Sequence, residues 1–234
     1  MLQISNLKKE YSRNGNKFFA VDDFNMVVEE GTLVCIVGPS GCGKSTLFHM
    51  ISGLMKPTSG EIILNGEIVS EKSKSELASF RNEKIGYILQ GENLLGNLSV
   101  IDNVCFPAYL QGKKKEKETK AWELLEKVGI AEMGNSYPGY LSGGEARRVA
   151  IARALINEPV CILADEPTSN LDPDSSETVM QLLKKIAQEG KMVLVSTHDM
   201  ESLKYADVIY YMKKGQITDS KKNENGKCWG ESGK

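Results

Sequence analysis

With two histidines in 234 residues and no Cys-x-x-Cys pair, the chain lacks the ligand spacing of a zinc site. Cysteine is sparse and scattered. Cys35 and Cys161 lie inside apolar runs, Cys42 in a glycine-rich loop, Cys105 in a mixed segment and Cys228 in a polar tail. An odd set so dispersed reads as reduced thiols, not as a disulfide framework. No apolar run approaches the ~20 residues of a membrane span; the longest are of the kind Val34–Val37 and Val160–Ala164. The opening Met1-Leu2-Gln3-Ile4 lacks the charged-then-apolar pattern of a secretion signal. Neither sign of charge is in excess, with 29 Lys+Arg against 31 Asp+Glu and a net charge of −2, which argues against a protein built to wrap nucleic acid. There is no internal repeat. These absences lead us to expect a soluble, cytosolic chain that meets a membrane only through a partner.

What is present is ordinary globular composition, 41% hydrophobic and 26% charged, in a length that suits one large or two small domains. Alternation at Leu2, Ile4 and Leu7, and again at Phe24, Met26 and Val28, predicts strands near the front. Leu33–Val37 is a short apolar run of the buried-strand type. Glu61–Leu64, Asn65-Gly66 and Ile68-Val69 predict a hairpin with a two-residue turn. Helical spacing runs from Lys44 to about Gly53, and the stretch from Ser99 to Ile156 is mostly helical, with Ser99 as an N-cap, Gly129 as a stop and a helix over 145–156 ending before Pro159. Strand and helix then alternate: Val160–Ala164, Asp174–Gln188, Met192–Val195, and a closing hairpin of Val208–Met212 with Gln216–Thr218. Such alternation predicts an α/β fold with a largely parallel sheet covered on both faces, an antiparallel sheet at the front and a helical insert in the middle.

Three segments carry chemistry. Gly38-Pro39-Ser40-Gly41-Cys42-Gly43-Lys44-Ser45-Thr46 follows a strand and opens a helix, the context a phosphate loop requires. Its glycines let successive N–H groups turn inward on phosphate oxygens, the helix N-terminus adds its positive end, Lys44 reaches the β- and γ-phosphates, and Ser45 offers a hydroxyl to Mg²⁺. Four fixed positions arise by chance in about 1% of chains of this length, before the strand and helix are required. Second, the apolar strand ending in Asp165-Glu166 puts two acids at the sheet edge where such folds bind ligands. Adjacent strand residues face opposite ways, so the acids have different tasks: Asp165 to hold Mg²⁺ through water, Glu166 to polarise an attacking water. Third, Leu141-Ser142-Gly143-Gly144-Glu145 opens the helix that follows. It is either a capped turn or a second anion site made of the Ser142 hydroxyl, two glycine N–H groups and a helix N-terminus, one that another subunit's nucleotide could use.

Together with Gln90, Ser169-Asn170-Leu171-Asp172 and His198, in that order, these segments resemble the nucleotide-binding subunit of ABC transporters over about residues 2–218. The resemblance implies a phosphate-loop NTPase core with an N-terminal antiparallel β subdomain, one domain over residues 1–220 with a helical insert at about 91–158, and a polar tail over 221–234. It implies ATP and Mg²⁺ as ligands, with Gly38, Ser40, Gly41, Gly43, Lys44, Ser45 and Thr46 on the phosphates and Ser142, Gly143, Gly144 and Glu145 on a partner's nucleotide. Glu166, His198, Gln90 and Lys44 would be catalytic; Ser45, Gln90 and Asp165 would hold the metal; Ser169–Asp172 would cross to the other subunit. Tyr11 would stack on adenine, although a tyrosine after a strand also packs without any ligand.

A finer match, Arg81-Asn82-x-x-Ile85-Gly86-Tyr87-x-x-Gln90, Leu94-Leu95, Leu98-Ser99, Asp102-Asn103-Val104 and Gly112-Lys113-Lys114-Lys115, resembles the lipoprotein-release, macrolide-export and antimicrobial-peptide-resistance branch. That branch implies a homodimer at the cytoplasmic face of the membrane. Its partner would be a permease with few transmembrane helices and a large extracytoplasmic domain, and no nucleic acid would be bound. Leu94, Leu95 and Leu98 are either core or part of a groove for that permease. The competing readings are a soluble ABC ATPase, or a cell-division or mechanical-signalling ATPase that moves no solute. The stretch of about 50 residues between Gln90 and Leu141 carries no sustained heptads, as a coiled-coil ATPase would need.

Overall fold

The computed structural model describes residues 1–223 apart from 14 and 92. Two sheets share one core. The first is antiparallel, in the order β2-β1-β4-β5, built from β1 (Leu2–Arg13), β2 (Asn16–Val28), β4 (Ser59–Leu64) and β5 (Glu67–Ile68). The second, in the order β10-β9-β3-β8-β7-β6, comprises β3 (Leu33–Val37), β6 (Ile85–Ile88), β7 (Cys161–Asp165), β8 (Met192–Thr197), β9 (Val208–Lys213) and β10 (Gln216–Lys222). It is parallel except for the β9–β10 hairpin at its edge.

The central strands read as unbroken apolar runs because both of their faces are covered. Leu33, Cys35, Val37, Ile162, Ala164, Val193 and Val195 face a helical layer. It is formed by α3 (Val100–Tyr109), α4 (Lys114–Lys127), α5 (Gly143–Leu155) and α6 (Pro173–Gln188). Val34, Ile36, Cys161, Leu163, Met192 and Leu194 face the other way, onto α1 (Lys44–Ile51) and the antiparallel sheet. Burial pushes the Cys161 thiol up to about 12 and does the same for Cys35, so neither is a reactive thiol.

The structure differs from the sequence expectation in three places. Lys74–Lys84 is a helix, α2, begun by a capping box between Ser73 and Glu76; only Leu77 and Phe80 of it are buried, too few for a clear hydrophobic stripe. β10 runs on to Lys222, so the first residues of the expected tail from 221 belong to a sheet edge; residues 224–234, with Cys228, lie outside the described residues. Leu94, read as either core or groove, is partly buried against the helical core, and a groove of about 770 Å³ beside α2 and α3 is lined by none of Leu94, Leu95 and Leu98.

The loop between β6 and α3 is tied down by Asn103, which is fully buried. Its amide nitrogen donates to the carbonyls of Leu95, Leu98 and Ser99 at 3.0–3.1 Å, and its carbonyl oxygen accepts from the Leu95 N–H at 2.7 Å. Asn103→Ala leaves the half-buried Leu95 N–H and Leu98 carbonyl without their partner, whereas the Ser99 and Leu95 carbonyls keep the Asn103 and Leu98 N–H groups. At about 1–3 kcal/mol for each group left unsatisfied and partial repair by water, we expect a loss of about 3 kcal/mol. Thermal unfolding should then shift down by about 6–12 °C, at 2–4 °C per kcal/mol for a domain of this size.

Candidate nucleotide site

The phosphate loop lies where β3 ends, wedged between the two sheets. A Cβ at Gly43 would sit 2.1 Å from the Ala20 carbonyl oxygen of β2, and Gly43 has φ +113°. One at Gly38 would sit 2.2 Å from the Met212 carbonyl oxygen of β9. No side chain fits either position, which accounts for two of the motif's glycines by close backbone approach.

The loop forms one wall of a cavity of about 740 Å³, which Ser40, Gly41, Gly43, Lys44, Ser45 and Thr46 line. Gln90, Glu166, His198 and Tyr11 line the same cavity. Lys44 is 7% exposed; its ammonium donates to the Gly38 carbonyl at 2.6 Å and lies 3.5 Å from Glu166 Oε1. The other Glu166 oxygen accepts from His198 Nδ1 at 2.9 Å. With a carboxylate as its neighbour, that ring nitrogen carries the proton. Glu166 thus stands between a cation inside the loop and an imidazole that is mostly open to solvent.

The two acids separate more sharply than strand alternation requires. β7 stops at Asp165, and Glu166 turns into the left-handed region with φ +48°, its N–H donating to the Ser196 carbonyl and hydroxyl at 3.0 and 3.1 Å. That turn swings the Glu166 carboxylate to Lys44, while Asp165, 5% exposed and not among the residues that line the cavity, accepts from the Ser196 hydroxyl. A non-glycine residue held at positive φ costs of order 1 kcal/mol and persists because the surrounding bonds over-determine it.

The Ser142 segment is elsewhere. None of Ser142, Gly143, Gly144 and Glu145 lines the phosphate-loop cavity; Gly143 borders a separate space of about 310 Å³ with Ser169, Asn170 and Leu171. The Ser142 hydroxyl is also not a free donor, as the second-anion-site reading needs. It donates to Glu145 Oε2 at 2.8 Å and accepts from the Glu145 N–H, a reciprocal capping box. Gly144 is required for packing, since a Cβ there would meet Ser175 Oγ at 2.6 Å.

Phe18, which the sequence reading passed over, also lines the cavity and stacks on Tyr11 with ring centroids 5.8 Å apart. The signal was available. Asn14-Gly15 is a favoured hairpin dipeptide, and a register that pairs Arg13 with Asn16 brings Tyr11 opposite Phe18.

The family described as ABC transporter matches residues 21–169. An uncharacterized ABC transporter ATP-binding protein of Methanocaldococcus jannaschii is 41% identical over 94% of this chain and 98% of its own length. The chain belongs to the ABC transporter family. The lipoprotein-releasing system ATP-binding protein LolD of Buchnera aphidicola is 38% identical over 94% of this chain and 97% of that protein. The macrolide export ATP-binding/permease protein MacB of Chlorobaculum tepidum is 39% identical, and the chain spans 35% of it. Among solved structures, the ATP-binding cassette MJ0796 in a dimeric post-hydrolysis state with ADP and Pi has a TM-score of 0.85 and 36% identity, covering 96% of this chain and all of that one. The chain is therefore an ABC ATPase cassette of a transporter, with the phosphate-loop fold of its family. Among the described residues no helix is long and apolar enough to cross a membrane.

Within this cassette the Ser142 amide and hydroxyl hold the Glu145 carboxyl below its usual range. A depressed folded-state pKa stabilises above the unfolded value and loses that contribution as pH falls through the folded one. In urea unfolding between pH 3 and 7, the stability gap between wild type and Glu145→Gln should be constant above about pH 5 and narrow below about pH 4. A gap independent of pH would mean that the carboxylate's charge does no work at the cap.

Proposed function

We propose that two copies of this cassette close head to tail on ATP and drive a permease of the LolD or MacB kind. The observation that carries the reading is the separation just described. One copy gathers Lys44, Glu166, His198 and Gln90 around the phosphate loop, while Ser142 to Glu145 border a different surface. A nucleotide in the cavity is then complete only when a second copy brings its own Ser142 segment across. Contacts made only in the closed state shift the population towards it.

The buried ion pair suggests how binding prepares hydrolysis. A phosphate beside Lys44 competes with Glu166 for the ammonium and leaves Glu166 Oε1 free to accept a proton from water. His198 keeps the carboxylate oriented through Nδ1, and its exposed ring can reach the γ-phosphate. Lys44 and the loop N–H groups then stabilise charge on the equatorial oxygens. The donors suit magnesium: the Ser45 hydroxyl and the Gln90 amide at the cavity, and the buried Asp165 carboxylate at the end of β7, all hard oxygens. When bound, the ion would neutralise phosphate charge. Tyr11 and Phe18 offer the base an aromatic surface.

The permease would dock at a groove of about 770 Å³ bounded by Arg81, Asn82, Tyr87, Phe106, Leu110 and Arg153. The buried Tyr87 hydroxyl there has no hydrogen-bond partner among the described residues. The branch resemblance and the likeness to LolD and MacB favour a permease with few spans and a large extracytoplasmic domain, and a peptide, lipoprotein or drug-like cargo. The cassette would then sit peripherally at the cytoplasmic face of the membrane.

Glu166→Gln should keep ATP binding, slow hydrolysis by about 10²–10⁴-fold and accumulate an ATP-dependent dimer in size-exclusion chromatography. Brisk turnover by that variant would refute the base assignment. Ser142→Ala should bind ATP as monomer with unchanged affinity yet fail to dimerise, and dimerisation equal to wild type would remove the head-to-tail arrangement. Affinity purification of the Glu166→Gln subunit with ATP from gently solubilised membranes tests the partner. A few-span permease is expected, and a many-span permease would overturn the branch assignment.

A further inference from the structure

Gln90 is carried by the short connection that leaves β6, and the backbone on either side of it is held by two arginines of one helix. Arg147 of α5 donates from Nη1 to the Leu89 carbonyl at 2.7 Å, and Arg153 of the same helix donates from Nη1 to the Asn93 carbonyl at 2.8 Å. Asn93 then turns its amide back, donating to the Gln90 carbonyl at 2.8 Å and the Gly91 carbonyl at 3.1 Å. Four carbonyls over five residues are thereby fixed from α5, directly or through Asn93.

Neither guanidinium has a carboxylate within ion-pair distance among the described residues, although Arg147 is 5% exposed and Arg153 is half-buried. Burying an arginine without a countercharge is costly unless its N–H groups find fixed acceptors. Here the acceptors are loop carbonyls, so the desolvation of both arginines stands or falls with the conformation of the loop. Burial lowers the pKa of both, as expected for cations held by dipoles alone.

We infer that Arg153 is a positioning residue for Gln90, acting through the Asn93 carbonyl to hold the loop that presents the Gln90 amide to the phosphate-loop cavity. The inference rests on the reading of Gln90 given above. Arg153 is the informative member of the pair. Its side chain lines the 770 Å³ groove, so its truncation extends an open space and leaves no sealed void, whereas Arg147 is enclosed.

The test is a double-mutant cycle on ATPase activity of the purified chain, with Gln90→Ala, Arg153→Ala, both together, and Arg153→Lys, each checked by thermal unfolding. A misplacement of about 1 Å can cost as much as a hundredfold, so Arg153→Ala should lower kcat by about tenfold or more while ATP Kd changes less than about twofold. Arg153→Lys, which still donates to a carbonyl, should recover part of that loss. The double variant should be no slower than Gln90→Ala alone, because both act through one group. Multiplicative losses in the double variant, or a folded Arg153→Ala with wild-type kcat, would overturn the inference. If Gln90→Ala itself turned over normally, the role of Gln90 would fall first and this inference with it, a result distinct from additivity.

Discussion

The close approach of three backbones at the phosphate loop is the constraint on which the rest of the cassette depends. Gly43 touches the Ala20 carbonyl of one sheet and Gly38 touches the Met212 carbonyl of the other. Hydrogen bonds run alongside, from the Gly215 N–H to the Cys42 carbonyl and from the Asp22 N–H to the Gly215 carbonyl, each 2.9 Å. The loop is thus a seam between a strand that carries aromatics and a hairpin that closes the parallel sheet. Because that seam is tight, Tyr11 and Phe18 lie beside the phosphate-binding amides without any element devoted to placing them. The same seam fixes the start of α1, whose N-terminus supplies the positive end of the site.

A second consequence concerns charge. The loop pulls the Lys44 ammonium out of water, and a buried cation needs a partner. Two carbonyls and Glu166 meet that need, and Glu166 can do so because it leaves the strand at positive φ. The strained residue, the buried cation and the exposed imidazole form one chain of dependence. Loss of Glu166 would leave the Lys44 ammonium on two carbonyls alone, so any group that enters the loop beside Lys44 also bears on Glu166. The Ser196 side chain belongs to that arrangement, since it receives the Glu166 N–H and donates to Asp165, holding the two acids apart.

The parts legible in the sequence were those in which a backbone requirement forces residue type. Glycines at 38 and 43, the apolar runs of β3, β7 and β8 and the Ser99 and Ser142 caps each answer to a local rule, and the element order follows from them. What escaped was decided by partners far along the chain. α2 has too small an apolar face to announce itself, Phe18 acquires its place from hairpin register, and Arg147 and Arg153 read as a basic stretch until the carbonyls they hold are known. Strand alternation assigned Asp165 and Glu166 to different tasks for a reason that turned out incomplete, because the turn at Glu166 does more than alternation. Leu94 read equally as core or groove, and packing put it against the core.

The same logic bears on the proposed head-to-tail closure. Glu145 already occupies the helix terminus beside Ser142, held by the amide and hydroxyl that a phosphate would otherwise use. A nucleotide presented by a second copy must therefore either approach the first-turn amides of Gly143 and Gly144 with the carboxylate in place or displace it from Ser142. Glutamine at this position could make the same reciprocal cap without the charge. A carboxylate adds negative charge where, on the head-to-tail reading, the phosphates of a partner's nucleotide would approach. On that proposed reading, the charge at the cap and the charge at the phosphate loop would bear on one and the same closure step.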